Sequence, residues 1–404
     1  MGQECYSDLP WHPVNSSNNP AMKRCFSPAP AQQAFDWADS RILAPALREL
    51  PLERAAGYLL GEDLKAAGDI PSQALCARDG HALQASATLG AGDYNPLPLR
   101  LDSADKEVGA GSAVPVSAGD ALPGGADAVL TFEQGAVRDG FLDVADTLAP
   151  GEGVIRRGEE CRRDEILLPA GRRLRPQDLA RLALAGYVRL KVRSRPRVRL
   201  CLAGRFIRDA DGPMLAALIK RDGGDLAGIE RSATRQDLTR SLAQADADLI
   251  LMAGGRGHGV DDRAVQALQE CGRVELDGVA FHPGGGVVLG EVESRPVVML
   301  PGAPQACLCA YDLIMARLLR RLAGRSGILP YRRREFTLSR KLVSRIGRLE
   351  LARMRIDGDA AEPLAVADDR LLASTVQADG FVLVAENSEG YARGSRVEIY
   401  LYDE

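Results

Sequence analysis

Apolar and polar positions follow several rhythms along this chain of 404 residues. Residues 1–27 show none, and the stretch Asn15-Ser16-Ser17-Asn18-Asn19 predicts a flexible extension with little to bury. From Pro30, the residues Ala34, Phe35, Ala38, Ile42, Leu43 and Leu47 recur at helical spacing. Pro51 then opens a second predicted helix through Ala55, Ala56 and Leu59, closed by Gly61. Between 70 and 150 the pattern breaks into short strand-like pieces at 81–85, 113–116, 128–132 and 141–144, punctuated by Gly and Pro. A turn-rich hairpin region follows at 151–160 and 166–174, then a compact helix at 176–184 ending at Gly186, and a strand at 187–192. Helical segments flank the β-rich stretch on both sides, so it reads as an insertion.

The next block alternates strand and helix. Strands are predicted at 198–202, 225–229, 247–252, 287–289 and 296–300, and helices at 212–222, 236–244, 262–270 and 306–322. That order implies a mostly parallel sheet with helices on both faces. Beyond Pro330, alternating segments at 335–338, 349–356, 371–376, 381–385 and 396–402 predict a small all-β end domain. The fold class is α/β multidomain. The expected parts are an extension at 1–27, a discontinuous helical and β linker domain at 28–72 plus 149–195, and a β-rich insertion at 73–148. An α/β domain at 196–325 and a C-terminal all-β domain at 326–404 complete the chain.

Composition narrows the function classes. With 51 basic against 55 acidic side chains and a net charge of −4, a broad nucleic-acid or acidic-lipid surface is disfavoured. The Arg-rich runs, such as Arg332-Arg333-Arg334, read as solvated strand ends and helix faces. Of the eight cysteines only Cys307 and Cys309 are close, and no histidine lies within twenty residues of them, which argues against a structural zinc site. The opening residues lack a secretory pattern, and no apolar run approaches the ~20 residues that span a bilayer. A cytoplasmic protein with neither nucleic-acid nor membrane partners is expected.

Chemistry concentrates in three loops that the alternation sends to the carboxyl edge of the sheet. In Met252-Ala253-Gly254-Gly255-Arg256-Gly257-His258-Gly259-Val260-Asp261-Asp262, four glycines permit positive φ and let backbone N–H groups approach a ligand. Arg256 and His258 add charge-assisted donors, and the loop feeds a helix near Asp262. A tight turn with Asp262 as a helix cap would use the same residues. The second loop, Phe281-His282-Pro283-Gly284-Gly285-Gly286, makes room for a ligand or for a mobile hairpin. The third, Leu300-Pro301-Gly302-Ala303-Pro304-Gln305, joins a strand to a helix N-terminus as an anion cradle does. No Walker A, dinucleotide, nucleophile-elbow or HExxH pattern is present.

Several stretches occur in a familiar order: Leu122-Pro-Gly-Gly-Ala-Asp-Ala-Val129, Gly151-Glu-Gly-Val-Ile-Arg-Arg-Gly-Glu159, Leu167-Leu-Pro-Ala-Gly-Arg-Arg-Leu174, Leu182-Ala-Leu-Ala-Gly-Tyr-Val188 and Leu300-Pro-Gly-Ala-Pro304. With Gly254-Gly255 and Asp262 between them, the chain from about residue 28 onward resembles the MoeA and gephyrin E-domain family, the molybdopterin molybdenumtransferases. The resemblance implies an elongated homodimer. Its parts would be a β-rich inserted domain, a molybdopterin-binding α/β domain and a C-terminal β-barrel-like domain. It also implies use of adenylylated molybdopterin, molybdate and Mg²⁺, with release of AMP, in molybdenum cofactor biosynthesis, and a molybdoenzyme or another cofactor-pathway protein as partner. On this reading Asp262 and Asp79 act on the cation or molybdate, with Glu133 and Glu159 as weaker candidates. The pterin ligand would sit over Gly254, Gly255, Arg256, Gly257, His258 and Gly259, beside His282, Gly284, Pro301 and Gly302.

Departures from the family pattern fall on chemical positions. Ser-Gly-Gly-Val-Ser-Val-Gly becomes Ala253-Gly-Gly-Arg-Gly-His-Gly259, and Met-Lys-Pro-Gly-Lys-Pro becomes Phe281-His-Pro-Gly-Gly-Gly286, without either lysine. At ~1.5–3 kcal/mol per charged hydrogen bond, that loss removes several kcal/mol of anion binding, part of which Arg256, His258 and His282 could recover. Pro-Gly-Asn-Pro becomes Pro301-Gly-Ala-Pro304, and Thr-Gly-Asp-Glu-Leu shortens to Ala203-Gly204-Arg205. The inserted domain keeps Asp79 and Gly80 of Phe-Asp-Asn-Ser-Ala-Met-Asp-Gly-Tyr, a stretch that in the family reaches the partner's cleft, but carries His81 for Tyr. Three readings follow: molybdate insertion into adenylylated molybdopterin, a non-catalytic molybdopterin- or nucleotide-binding carrier, chaperone or regulator, and a scaffold without this ligand or acting on a different anion.

Overall fold

A computed structural model describes residues 28–41, 46–103, 107–204, 209–243, 246–255, 263–364 and 372–402. The chain divides into two compact units, Leu47–Arg193 and a second comprising Met1–Ala46 with Ser194–Glu404. In the first, strands Ala128–Thr131, Gly80–Leu83, Ser112–Val116, Leu97–Leu101, Phe141–Val144 and Gly135–Arg138 form, in that spatial order, a six-stranded sheet. Three two-stranded pairings, the helix Pro176–Leu184 and three short 3₁₀ turns make up the rest of its regular structure among the described residues. Leu60, Leu64, Leu167, Leu174, Leu182 and Leu190 form the small core that these latter elements share.

The second predicted helix does not form. Leu47–Pro51 is a strand paired antiparallel with Arg189–Arg193, followed by a single 3₁₀ turn at Leu52–Arg54. Its apolar positions are set by that cross-chain ladder, so Leu50 packs toward the core with Leu190 opposite it. Of the first helix, Ala31–Ser40 forms, burying Ala31, Ala34, Trp37 and Ala38; Ile42 and Leu43 lie outside the described residues.

The second unit carries the α/β rhythm. Its elements are β1 (Arg197–Ala203), α1 (Asp211–Arg221), β2 (Asp225–Ser232), α2 (Arg235–Ala243), β3 (Leu249–Gly254) and α3 (Arg263–Cys271), followed by β4 (Arg273–Asp277), β5 (Val288–Val292), β6 (Arg295–Leu300), α4 (Pro304–Ala310) and α5 (Ala316–Leu322). The sheet runs β2-β1-β3-β6-β5-β4, parallel through its first four strands and antiparallel at β6–β5 and β5–β4. All six residues of β3 are buried because both faces are covered. Leu249, Leu251 and Ala253 face the helix Ala31–Ser40, α1 and the α4–α5 helix, whereas Ile250 and Met252 face α2 and α3.

The predicted helix at 306–322 runs from Pro304 to Leu322 but holds a π turn at Tyr311–Met315 between α4 and α5. β4 escaped the sequence reading because Arg273-Val-Glu-Leu-Asp277 reads as polar; it is the edge strand of the sheet, where charged side chains reach water.

The end domain is a closed five-stranded barrel. Strands β7 (Arg332–Leu338), β8 (Leu349–Asp357), β9 (Ala360–Pro363), β10 (Gly380–Val384) and β11 (Arg396–Leu401) pair in the order β8-β9-β7-β11-β10 and close from β10 back onto β8. Phe336, Leu338, Met354, Val382, Val384, Val397 and Ile399 fill it. The predicted strand at 371–376 is instead a short helix, α6 (Ala373–Val376), because β9 already supplies the pairing beside β8. Phe281–His282 pairs with the start of β8, so the barrel and the α/β domain share a ladder.

The buried central strand should dominate stability. We expect Leu251→Ala, at a fully buried position, to cost about 2–5 kcal/mol in urea unfolding. Leu226→Ala on β2, with its side chain 38% exposed, should cost less than about 1 kcal/mol.

Candidate functional site at the carboxyl edge of the sheet

Parallel strands β1, β3 and β6 end on one edge, and the connection from β4 to β5 returns there because β5 runs antiparallel to β6. Gly254 and Gly255 leave β3 with φ of +80° and +72°, the left-handed region that glycine tolerates. Space forbids a side chain as well. A Cβ on Gly254 would lie 2.4 Å from the Ala203 carbonyl oxygen, and one on Gly255 2.7 Å from the Ala203 Cβ. A Cβ on Gly302 would lie 3.0 Å from the Gly254 Cα, so the first and third loops meet backbone to backbone. Gly302 is itself exposed, which leaves this junction open to solvent. Arg256, Gly257, His258, Gly259 and Asp262 lie outside the described residues.

The second loop has another task. Gly284 packs against the side of α4, where an added Cβ would meet the Ala306 carbonyl oxygen at 2.9 Å and the Ala310 nitrogen at 3.0 Å. A Cβ on Gly285 would fall within 2.8 Å of the carbonyl oxygens of Phe281 and Val279. His282 is half-buried in the ladder to Glu350. This loop therefore braces α4 against the barrel one turn behind the helix start, while Gly254, Gly255, Pro301 and Gly302 form the junction.

Beyond Pro301 and Gly302, α4 begins at Pro304 with Ala303 as its N-cap, a residue that offers no side-chain acceptor to the first-turn N–H groups. Gln305 in that first turn is fully buried: its Oε1 accepts from the Ser374 hydroxyl at 3.3 Å, and its Nε2 has no partner among the described residues. Arg353, on the outer face of β8, is 1% exposed, and among the described residues none of its three guanidinium nitrogens has a hydrogen-bond partner. The Thr375 hydroxyl on α6 is likewise unpartnered. α6 links α4 to β8, since Ser374 reaches Gln305 and Gln377, just past its end, accepts from Arg355. Unpaired donors removed from water are costly unless an acceptor arrives, and a tetrahedral oxyanion supplies four.

Carboxylates mark the same edge at the start of α1. Asp209 accepts from the Gly212 N–H at 2.8 Å and from Arg231 at 2.5 Å. Asp211 is 4% exposed, its Oδ1 has no partner among the described residues, and burial together with the Asp209 charge pushes its carboxyl up to about 6. Sequence reasoning missed Asp211, Gln305 and Arg353. For Arg353 the signal was there: a charged side chain in the middle of the alternating run Leu349-Glu-Leu-Ala-Arg-Met-Arg-Ile356.

The remaining candidates belong to the Leu47–Arg193 unit. Asp79 is exposed, and its Oδ1 accepts from the Ala118 N–H at 2.8 Å. Gly80 next to it is sterically obligatory, since a Cβ would fall 1.9 Å from the Leu130 carbonyl oxygen. His81 is buried edge-on against Phe132, ring centroids 5.0 Å apart, and burial lowers its imidazole pKa. Glu159 accepts from the Arg156 N–H at 2.6 Å and lines a polar depression of about 650 Å³ with Arg156, Arg157 and Arg162. Glu133 is exposed in the 3₁₀ turn Phe132–Gln134. Among the described residues no three His, Cys, Asp or Glu side chains gather as a metal site.

The second unit is thus a doubly covered α/β sheet with a glycine junction at its carboxyl edge and a closed barrel seated on α4 through Cys309, Leu351 and Phe381. The comparisons with known proteins name the lineage. The MoeA N-terminal region (domain I and II) matches residues 29–186, the "Probable molybdopterin binding domain" residues 200–321, and the MoeA C-terminal region (domain IV) residues 335–402. The chain belongs to the MoeA family. It is 29% identical, over 380 residues covering 88% of this chain and 92% of the relative, to a Methanocaldococcus jannaschii protein whose name assigns it to molybdopterin biosynthesis. It is 25% identical to the molybdopterin molybdenumtransferase of Staphylococcus aureus strain COL, over 93% of this chain and 96% of that one. The crystal structure of the molybdopterin biosynthesis MoeA protein from Pyrococcus horikosii superposes with a TM-score of 0.76 at 27% identity, covering 94% of this chain and all of the other.

Asp211 makes stability depend on pH. Its carboxyl ionises near 3.8 when unfolded and near 6 when folded, so the folded state retains a proton that the unfolded state has lost between those values. The contribution is complete below about 4 and disappears as pH rises through 6. Asp211→Asn should therefore exceed the wild type in stability at pH 8 by on the order of 2–3 kcal/mol, the gap closing near pH 4 in parallel urea titrations.

Proposed function

We propose that this chain is a molybdopterin molybdenumtransferase, inserting molybdate into adenylylated molybdopterin with release of AMP in molybdenum cofactor biosynthesis. The observation that carries the reading is the buried, wholly unpartnered guanidinium of Arg353, with the Gln305 amide as a second free donor. Family membership and the named S. aureus relative support the substrate class. The phosphates of the adenylylated pterin lie over the junction of Gly254, Gly255 and Gly302 and the uncapped start of α4. Molybdate, a tetrahedral dianion, takes the Arg353 and Gln305 donors, which hold it beside the pterin while its dithiolene captures the metal. Capture by the dithiolene displaces a molybdate oxygen as water, and it is coupled to attack of water on the phosphoanhydride, which leaves a phosphate on the pterin and releases AMP across the glycine junction.

When bound, Mg²⁺ supplies neutralisation of phosphate charge. Asp211, with one free oxygen and a carboxyl poised near physiological pH, and Asp262 are the residues that would hold it. Asp79 is assigned to the partner's cleft in a homodimer, and the reaction to the cytoplasm; no helix among the described residues is long and apolar enough to cross a membrane.

Mixing the full chain with adenylylated molybdopterin, Mg²⁺ and molybdate should release AMP, and Asp262→Asn should abolish that release. Arg353→Ala should raise the molybdate concentration for half-saturation by ten- to a hundred-fold, the equivalent of one charged hydrogen bond or more, without weakening pterin binding in calorimetry. Tight pterin binding without AMP from the wild type would make the chain a carrier instead. No binding of either pterin form would sink the site assignment.

A further inference from the structure

Gln305, Cys309 and Asp312 recur along the α4–π helix at the spacing that puts side chains on one face, spanning about 10 Å. All three meet the barrel side of the unit. Gln305 accepts from Ser374, Cys309 packs with Leu351 and Phe381, and the Asp312 carboxylate accepts from the Tyr331 hydroxyl at 2.9 Å. Asp312 is fully buried in the π turn and also accepts from Arg221 Nη2 at 2.7 Å, while Arg221 Nη1 donates to the Tyr331 oxygen at 2.6 Å. Arg221 and Arg320 share the buried Asp222, each donating to it, at 2.8 and 2.7 Å. The Tyr331 ring stands edge-on to Phe381 at 5.4 Å and to Tyr402 at 5.6 Å, and Phe381 is the residue opposite Arg353 in the β8–β10 ladder.

We infer that Tyr331 and Asp312 are positioning residues for the oxyanion donors: their buried ionic cluster fixes the seat of the barrel on α4, and thereby the place of Arg353 relative to Gln305. This rests on the oxyanion role given to Arg353 above. The physical reason is directional. Apolar packing alone tolerates sliding of the barrel along the helix face, whereas a hydroxyl that accepts from Arg221 and donates to Asp312 has one geometry that satisfies both. A π turn, which π-bulges often share with functional sites, occurs where the clamp closes.

Tyr331→Phe keeps the ring against Phe381 and Tyr402 and deletes only the hydroxyl. It should raise the molybdate half-saturation concentration about five- to ten-fold, leave kcat at saturating molybdate within two-fold, and leave calorimetric affinity for adenylylated molybdopterin unchanged. Asp312→Asn should shift the same constant in the same direction, and serves as the second variant if Tyr331→Phe folds poorly. Arg353→Ala, measured in parallel, separates the two levels of the argument. A normal molybdate constant in both Tyr331→Phe and Asp312→Asn, with a raised one in Arg353→Ala, would overturn the positioning role alone. Equal losses of pterin and molybdate affinity accompanying a lowered Tm would reduce the cluster to a structural one and overturn it too. If Arg353→Ala itself binds molybdate normally, the oxyanion role falls and the positioning role with it.

Discussion

A guanidinium taken out of water with none of its five donors paired is among the least tolerable features a folded protein can hold. Its desolvation costs several kcal/mol, and nothing among the described residues returns that cost through a hydrogen bond to Arg353. The cation persists because the strand that carries it is pinned on both sides. β8 is a wall of a closed barrel, and it also pairs with Phe281–His282 of the α/β domain. The closed barrel leaves β8 no free edge through which it could shift register. A binding site that must capture a small dianion in competition with water gains from such an arrangement, since its donors are already dehydrated before the ligand arrives.

The glycines need a different explanation from the one their sequence invites. Gly254, Gly255 and Gly302 are forced by contact, because β1, β3 and β6 end so close together that Cβ atoms would strike Ala203 or Gly254. The same crowding brings two loop backbones together at an exposed Gly302, so packing and the phosphate seat proposed above make one demand on these positions. Gly284 and Gly285, in contrast, are consumed by packing against α4 and by their own loop. They brace the helix whose first turn carries Gln305, and they contribute to the site through its position.

Legibility in the sequence followed the range of the interactions. The buried strands of the sheet were readable because burial on both faces leaves continuous apolar runs such as Leu249-Ile-Leu-Met-Ala253. The glycine loops after β3 and β6 were readable for a related reason: a strand ending in small residues before a helix is a local signature. The pairing of Leu47–Pro51 with Arg189–Arg193 was not, because a ladder between segments so distant in the chain overrides a helical spacing that is only suggestive. β4 and β9, short and at least partly polar, were lost for want of apolar periodicity. Gln305 and Asp211 were missed since what marks them is an unmet hydrogen bond, a property of three-dimensional surroundings that no spacing encodes, whereas Arg353 did leave a trace as a charge inside an alternating run.

The departures from the family pattern then acquire a physical sense. Without the two lysines of the family pattern, the second loop brings no flexible ammonium group to the rim. Their place is taken by Gly285 and the half-buried His282, held in structure. On the function proposed above, the described residues offer the dianion a fixed guanidinium, a fixed amide and an uncapped helix start. A lysine can follow a ligand that binds slightly out of place; Arg353 cannot, because its stem is locked in a barrel wall. Affinity that depends on fixed donors therefore depends on how accurately the barrel is seated, and a buried cluster of Arg221, Asp222, Asp312, Arg320 and Tyr331 at that seat is what such dependence requires. Replacing mobile charge by fixed charge transfers the burden of recognition from the loops to the junction between the two folds of this unit.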